Sequence, residues 1–92
     1  MGQLTFDSSK ARYDGERDIV RFSALDGEKL VPCAVSHEAL TDYSRQTGVV
    51  GDALVQLYRA HTSKIHGVAQ EKYQTGRTEA DGLVLVKSAD LV

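Results

Sequence analysis

Residues 12–40 constrain the fold of this chain more than any other stretch. Two β-prone runs, 17–25 and 29–35, flank an Asp26-Gly27 turn signal, and the second leads straight into Ser36-His37-Glu38-Ala39-Leu40. Strand, turn, strand and capped helix in that order predict a β-hairpin feeding a helix. Pairing Ala24 with Lys29 sets Phe22 opposite Val31 and Val20 opposite Cys33, which gathers apolar side chains on one face. The other face then carries Ile19, Arg21 and Ser23 opposite Ala34, Pro32 and Leu30. Pro32, which lacks an N–H, decides the loop. A two-residue Asp26-Gly27 loop would put it in a hydrogen-bonded pair, whereas a four-residue loop over 25–28 keeps the pairing and moves it to a non-hydrogen-bonded position. The longer loop is expected, with the Pro32 end of its strand at a sheet edge.

Upstream, Leu4 and Phe6 alternate in a brief first strand, and Asp7-Ser8-Ser9-Lys10 reads as a loop. Downstream, Ser36 caps a helix running to about residue 46, with Glu38 near its positive end and Gly48 closing it. Asp52 is read as the cap of a long helix that continues to about Thr75 and stops at Gly76. On a helical wheel Leu54, Leu57, Tyr58, His61, Ile65, Val68 and Ala69 form one apolar stripe. Gln56, Arg59, Ser63, Gly67, Gln70 and Gln74 lie opposite it. Residues 83–87, Leu-Val-Leu-Val-Lys, are apolar on both sides and read as a strand near the middle of the sheet.

The expected fold is α+β: an antiparallel three- or four-stranded sheet with two helices packed on one face, in the order β-β-β-α-α-β. Its expected core is Leu4, Val20, Phe22, Val31, Cys33, Leu40, Leu54, Leu57, Ile65, Val68 and Leu85. The long helix would extend roughly 35 Å, against roughly 20–24 Å for the strands. One end must overhang, and a second copy of the chain could cover it; a homodimer is expected on that ground.

The bulk numbers narrow the function. At 92 residues the chain is read as a single domain, 1–92, with the hydrophobic (41 %) and charged (26 %) content of an ordinary soluble protein. A net charge of −2 gives no general pull towards polyanions or anionic lipid. No apolar run is long enough to span a membrane, and residues 1–7 lack the pattern of a secretory signal. Gly2 is followed at position six by Phe6, where a myristoylation motif wants Ser or Thr. A single cysteine can form no internal disulfide, which suits a reducing cytoplasm.

The residues Tyr13-Asp14, Arg17-Asp18, Val20 and Phe22, then Asp26-Gly27, then Cys33-Ala34-Val35-Ser36 and Glu38-Ala39-Leu40 resemble a small bacterial family, DUF1488, a domain of unknown function. The similarity continues through Asp52, Ile65, Gly76-Arg77 and Ala89-Asp90-Leu91, so it covers almost the whole chain. It implies a stand-alone α+β protein of the bacterial cytoplasm, and it supplies no catalytic residue, cofactor or ligand. Pro32 stands where the resemblance implies a polar or basic residue.

No motif announces chemistry. Cys33 is expected to be a buried structural thiol beside Val20. His61 and His66 are five apart, where same-face helical metal ligands want three or four. A metal would need His37 and His61 to meet with a carboxylate such as Glu38, and the simpler reading is a partly buried His61 bonded to backbone or tyrosine, with His37 and His66 at the surface. There is no Gly-x-Ser-x-Gly elbow, Gly-rich phosphate loop or distinctive carboxylate pair. Neither a catalytic residue, a cofactor nor a metal is expected. For nucleic acid, Arg59, Lys64, Lys72 and Arg77 are spread around the helix, and Arg12, Arg17 and Arg21 are interleaved with Asp14, Glu16 and Asp18. The expected function is a non-enzymatic interaction or regulatory module, self-associating or docking on an unidentified protein. Its expected face is Gln56, Arg59, Ser63, Gly67, Gln70 and Gln74. Nucleic-acid binding is the second reading and a small enzyme the third.

Overall fold

The hairpin is present with a tighter turn than expected. In the computed structural model, which describes residues 2–91, β2 (Ile19–Asp26) and β3 (Lys29–Ser36) are antiparallel and close on the pair Asp26↔Lys29. Gly27, the first of two loop residues, takes φ 63°, the conformation that a two-residue hairpin with glycine leading requires. The four-residue loop is therefore corrected, and Val31 pairs with Ala24 and Cys33 with Phe22. A shift of two residues leaves every side chain on its expected face, since strand alternation has period two. Ser23↔Pro32 then falls in a non-hydrogen-bonded pair, and the next strand pairs only with Cys33 onward. Pro32 thus sits on an uncovered edge, as expected.

The first strand is longer than its alternation suggests. β1 (Leu4–Asp14) pairs with β2 at both of its ends, and its register shifts between Asp7↔Ser23 and Arg12↔Arg21. Three extra residues are accommodated there, an odd number, so the inward parity flips. Leu4 and Phe6 face the core before the irregularity, and Ala11 and Tyr13 face it afterwards. The expected loop at residues 7–10 is this irregularity, with Ser9 donating from both its amide and hydroxyl to Asp7.

Three helices, rather than two, cover one face. In α1 (His37–Ser44) the Ser36 hydroxyl accepts from the Ala39 amide at 3.0 Å, the expected cap. Arg45, at φ 58°, ends that helix before Gly48 is reached. The expected long helix is broken: α2 (Ala53–Ala60) and α3 (Thr62–Gln74) are separated by His61 at φ −129° and ψ 29°. Thr62 and Ser63, poor helix formers, begin the second piece. The break lets α2 lie on β1 and β2 while α3 packs against the last strand, so the surplus length is absorbed within the chain. Asp52 makes no side-chain cap bond. Gly76, at φ 73°, does end α3: its amide bonds Tyr73 O and that of Arg77 bonds Lys72 O, the pair of bonds that defines a glycine-closed helix end.

The last strand, β4 (Val84–Val86), runs parallel to β3 and completes the order β1-β2-β3-β4. It therefore lies at an edge, and the expected central position is corrected. The fold is α+β, with a mostly antiparallel sheet. Val84 and Val86 point to the core, and Leu83 and Leu85 form a small second cluster with Ile19 and Ala34 on the outer side. That outer cluster is why the segment is apolar on both faces. Nine of the eleven expected core residues are buried; Val68 is partly so against the main core, and Leu85 belongs to the outer cluster.

Candidate functional site

The expected helix face does not survive as one surface. Gln56 and Arg59 lie on α2, and Ser63, Gly67 and Gln74 on α3, all exposed but divided by the break at His61. Gln70 is committed to the fold: its Oε1 accepts from the Leu4 amide at 2.6 Å and its Nε2 donates to Gly2 O. A Cβ at Gly67 would meet nothing within 4 Å, so no neighbouring backbone within this chain calls for a glycine there.

Cys33 is buried, and burial pushes its thiol up to about 12; the thiolate needed for nucleophilic chemistry is thereby suppressed. Both helical histidines are partly buried. His66, expected at the surface, is stacked on Phe6 at 4.2 Å, with Nε2 2.6 Å from the Tyr58 hydroxyl. Its pKa is lowered by burial. His61 meets the edge of Tyr43 instead. A wheel drawn through the break misplaces His66, because the turn at His61 is not helical.

His37 stands at the N-terminus of α1, its Nδ1 3.0 and 3.1 Å from the two carboxylate oxygens of Asp18. The same carboxylate accepts from the Tyr13 hydroxyl at 2.6 Å. Tyr13, and after it His37, hold the Asp18 pKa below its usual value. This group lines a shallow depression with Arg17, Lys87 and Ser88. An aspartate that orients an imidazole suits acid–base work, yet the serines beside it are occupied. Ser36 caps α1, and the Ser88 hydroxyl donates to Asp42.

Two of the four cations expected along the helices are engaged, while Arg59 and Lys64 make no ion pair among the described residues. Lys72, only 7 % exposed, donates to Leu85 O at 2.8 Å and to Asp90 at 2.7 Å, pinning α3 to the C-terminal strand and turn. Arg77 pairs with Glu71. Among the described residues Arg59 on α2 and Lys64 on α3 are left, and they form no row of cations along one helix face for a duplex.

The open surface is the outer face of the sheet. At one end Ile19 and Ala34 are covered by Leu83 and Leu85, and the Arg17–Asp81 ion pair ties the preceding loop down. At the other end none of the described residues covers it. Leu25 and Leu30, a cross-strand pair, are 43 % and 65 % exposed, and Pro32 beside them is exposed too. Next to these lies a depression of about 250 Å³ lined by Lys10, Arg12, Arg21, Ser23, Leu30 and Pro32, and by the buried Phe22 and Cys33. The sequence carried a signal for it: Leu25, Leu30 and Pro32 fall on the face opposite the core residues.

A family model described as "Protein of unknown function (DUF1488)" matches residues 4–86. A crystal structure of a protein of unknown function from that family, from Shewanella loihica PV-4, matches with a TM-score of 0.84. It shares 15 % identity and covers 94 % of this chain and 94 % of that one, a likeness of fold. None of the curated proteins matches the chain.

Proposed function

We propose that this chain, which belongs to the DUF1488 family, is a non-enzymatic interaction module of the bacterial cytoplasm that docks a protein on the open outer face of its sheet. The observation that carries this reading is the exposed Leu25–Leu30 pair with Pro32, on a sheet whose other face is fully occupied by its helices. Aliphatic side chains gathered at one uncovered sheet end are the kind of patch that a partner desolvates. The engaged serines beside His37 and the raised thiol pKa of Cys33 favour binding over catalysis. Among the described residues no helix is long and apolar enough to cross a membrane, which accords with the proposed compartment. The homodimer expected from an overlong helix loses that support, and self-association through the sheet face is the form in which it stands.

The test is capture from nuclease-treated lysate with tagged wild type, Leu30→Asp and Ser63→Glu. The expected result is a stoichiometric protein, or a second copy of the chain, that is lost with Leu30→Asp and kept with Ser63→Glu. Loss with Ser63→Glu alone would return the function to the helices. Nucleic acid eluting without nuclease, in place of protein, would favour the alternative reading.

A further inference from the structure

The polar half of the same surface points to the chemistry of what binds there, an inference that rests on the docking role proposed above. The register shift in β1 is its structural origin. In the unshifted register Arg12 would face the core; with the shift it pairs with Arg21 on the outer face, and Lys10 lines the same depression. Irregularities of this kind re-aim side chains at functional edges. Lys10 and Arg12 make no ion pair among the described residues. Arg21 gives only its Nε to Asp14, at 2.8 Å, which leaves its terminal amino groups for another acceptor. Two carboxylates adjoin the site, and each is already engaged: Asp14 by Arg21 and Asp7 by Ser9. Three cations with spare donors therefore ring a depression whose exposed apolar wall is Leu30 and Pro32, with Leu25 beyond; Ser23 and the buried Phe22 and Cys33 complete its lining.

We infer that this face takes an extended acidic peptide segment. Its carboxylates lie against Lys10, Arg12 and Arg21, and an aliphatic side chain covers Leu25, Leu30 and Pro32. Guanidinium groups hold carboxylates through paired N–H donors, and the aliphatic strip gives the burial that charge alone lacks. The peptide lies across the face rather than extending the β3 edge, because Pro32 offers no N–H for a ladder there. A nucleic-acid strand is the lesser fit: the wall beside the cations is aliphatic, where single strands want aromatic platforms.

The experiment is fluorescence anisotropy with a labelled peptide of alternating Glu and Leu, its Lys–Leu counterpart, and a single-stranded oligonucleotide. Saturable binding of the Glu–Leu peptide that weakens with salt is expected, with the Lys–Leu peptide inert. Reversing the rim charges in Lys10→Glu/Arg12→Glu should weaken it about tenfold or more, and Leu30→Ser should weaken it severalfold. Lys64→Glu, on α3, should leave it unchanged; each variant is first shown to keep the wild-type melting temperature. Absence of saturable binding, equal loss with Lys64→Glu, or oligonucleotide binding in place of peptide binding would each overturn the acidic partner. If these fail while Leu30→Asp still abolishes capture from lysate, the docking face stands and only its partner chemistry falls.

Discussion

Protonation of His66 charges a ring that is stacked on Phe6, partly buried and hydrogen-bonded to the Tyr58 hydroxyl. Burial lowers its folded pKa below the ordinary value of 6.5, so the unfolded chain holds that proton more tightly. The stability tied to His66 is then fully present above the unfolded value and is lost as pH falls below it. Urea midpoints should therefore drop between about pH 7.5 and pH 5, and His66→Gln should flatten that slope. The aspartates whose pKa values are lowered by hydrogen bonds, Asp14, Asp18 and Asp26 among them, act in a separate and more acidic window. Two glycines should respond in opposite directions. Gly67→Ala removes a helix breaker from open space and should stabilise by about 0.5–1 kcal/mol. Gly76→Ala forces a side chain into the left-handed region that closes α3 and should cost about 1 kcal/mol. Both are read by urea unfolding, and a Gly67→Ala loss would mean that a neighbour requires close approach there.

Elements differed in how plainly their residues spelled them out. The hairpin and α1 were legible because their signals are local: alternation, a glycine for positive φ, and a serine whose hydroxyl reaches the Ala39 amide. Ser36→Ala should accordingly cost about 1 kcal/mol in urea unfolding. The α2–α3 break was not legible, since His61 lies on the apolar stripe and nothing near it is a strong breaker. What selects the break is tertiary: each half finds its own part of the sheet. The β1 irregularity hid for a related reason. Its two inward pairs, Leu4/Phe6 and Ala11/Tyr13, have opposite parity, and strict alternation recognises only one of them. Lys72 is a third case. Its place at the rim of the stripe was visible, but its burial depends on Leu85 O and Asp90, both brought in by β4 and the turn after it. Lys72→Ala should cost about 3 kcal/mol by leaving Asp90 without its cation, and a near-neutral result would show that water replaces the ammonium.

Across the whole molecule, helices fill one side of the sheet, and the loop before β4 covers only one end of the other side. The exposed end carries the aliphatic pair, the proline edge and the free cations, and no single one of these features marks a function in the sequence. They become a surface only when the register of β1, β2 and β3 sets them side by side. The helix face had looked the better candidate because a continuous helix would have aligned it, and the break at His61 divides it. The most direct measurement is amide hydrogen exchange, read by mass spectrometry on the free protein and on the complex captured from lysate. Added protection in residues 10–12 and 25–32, with α3 unchanged, is expected. Protection confined to α2 and α3, with the 25–32 hairpin exchanging as in the free protein, would contradict it.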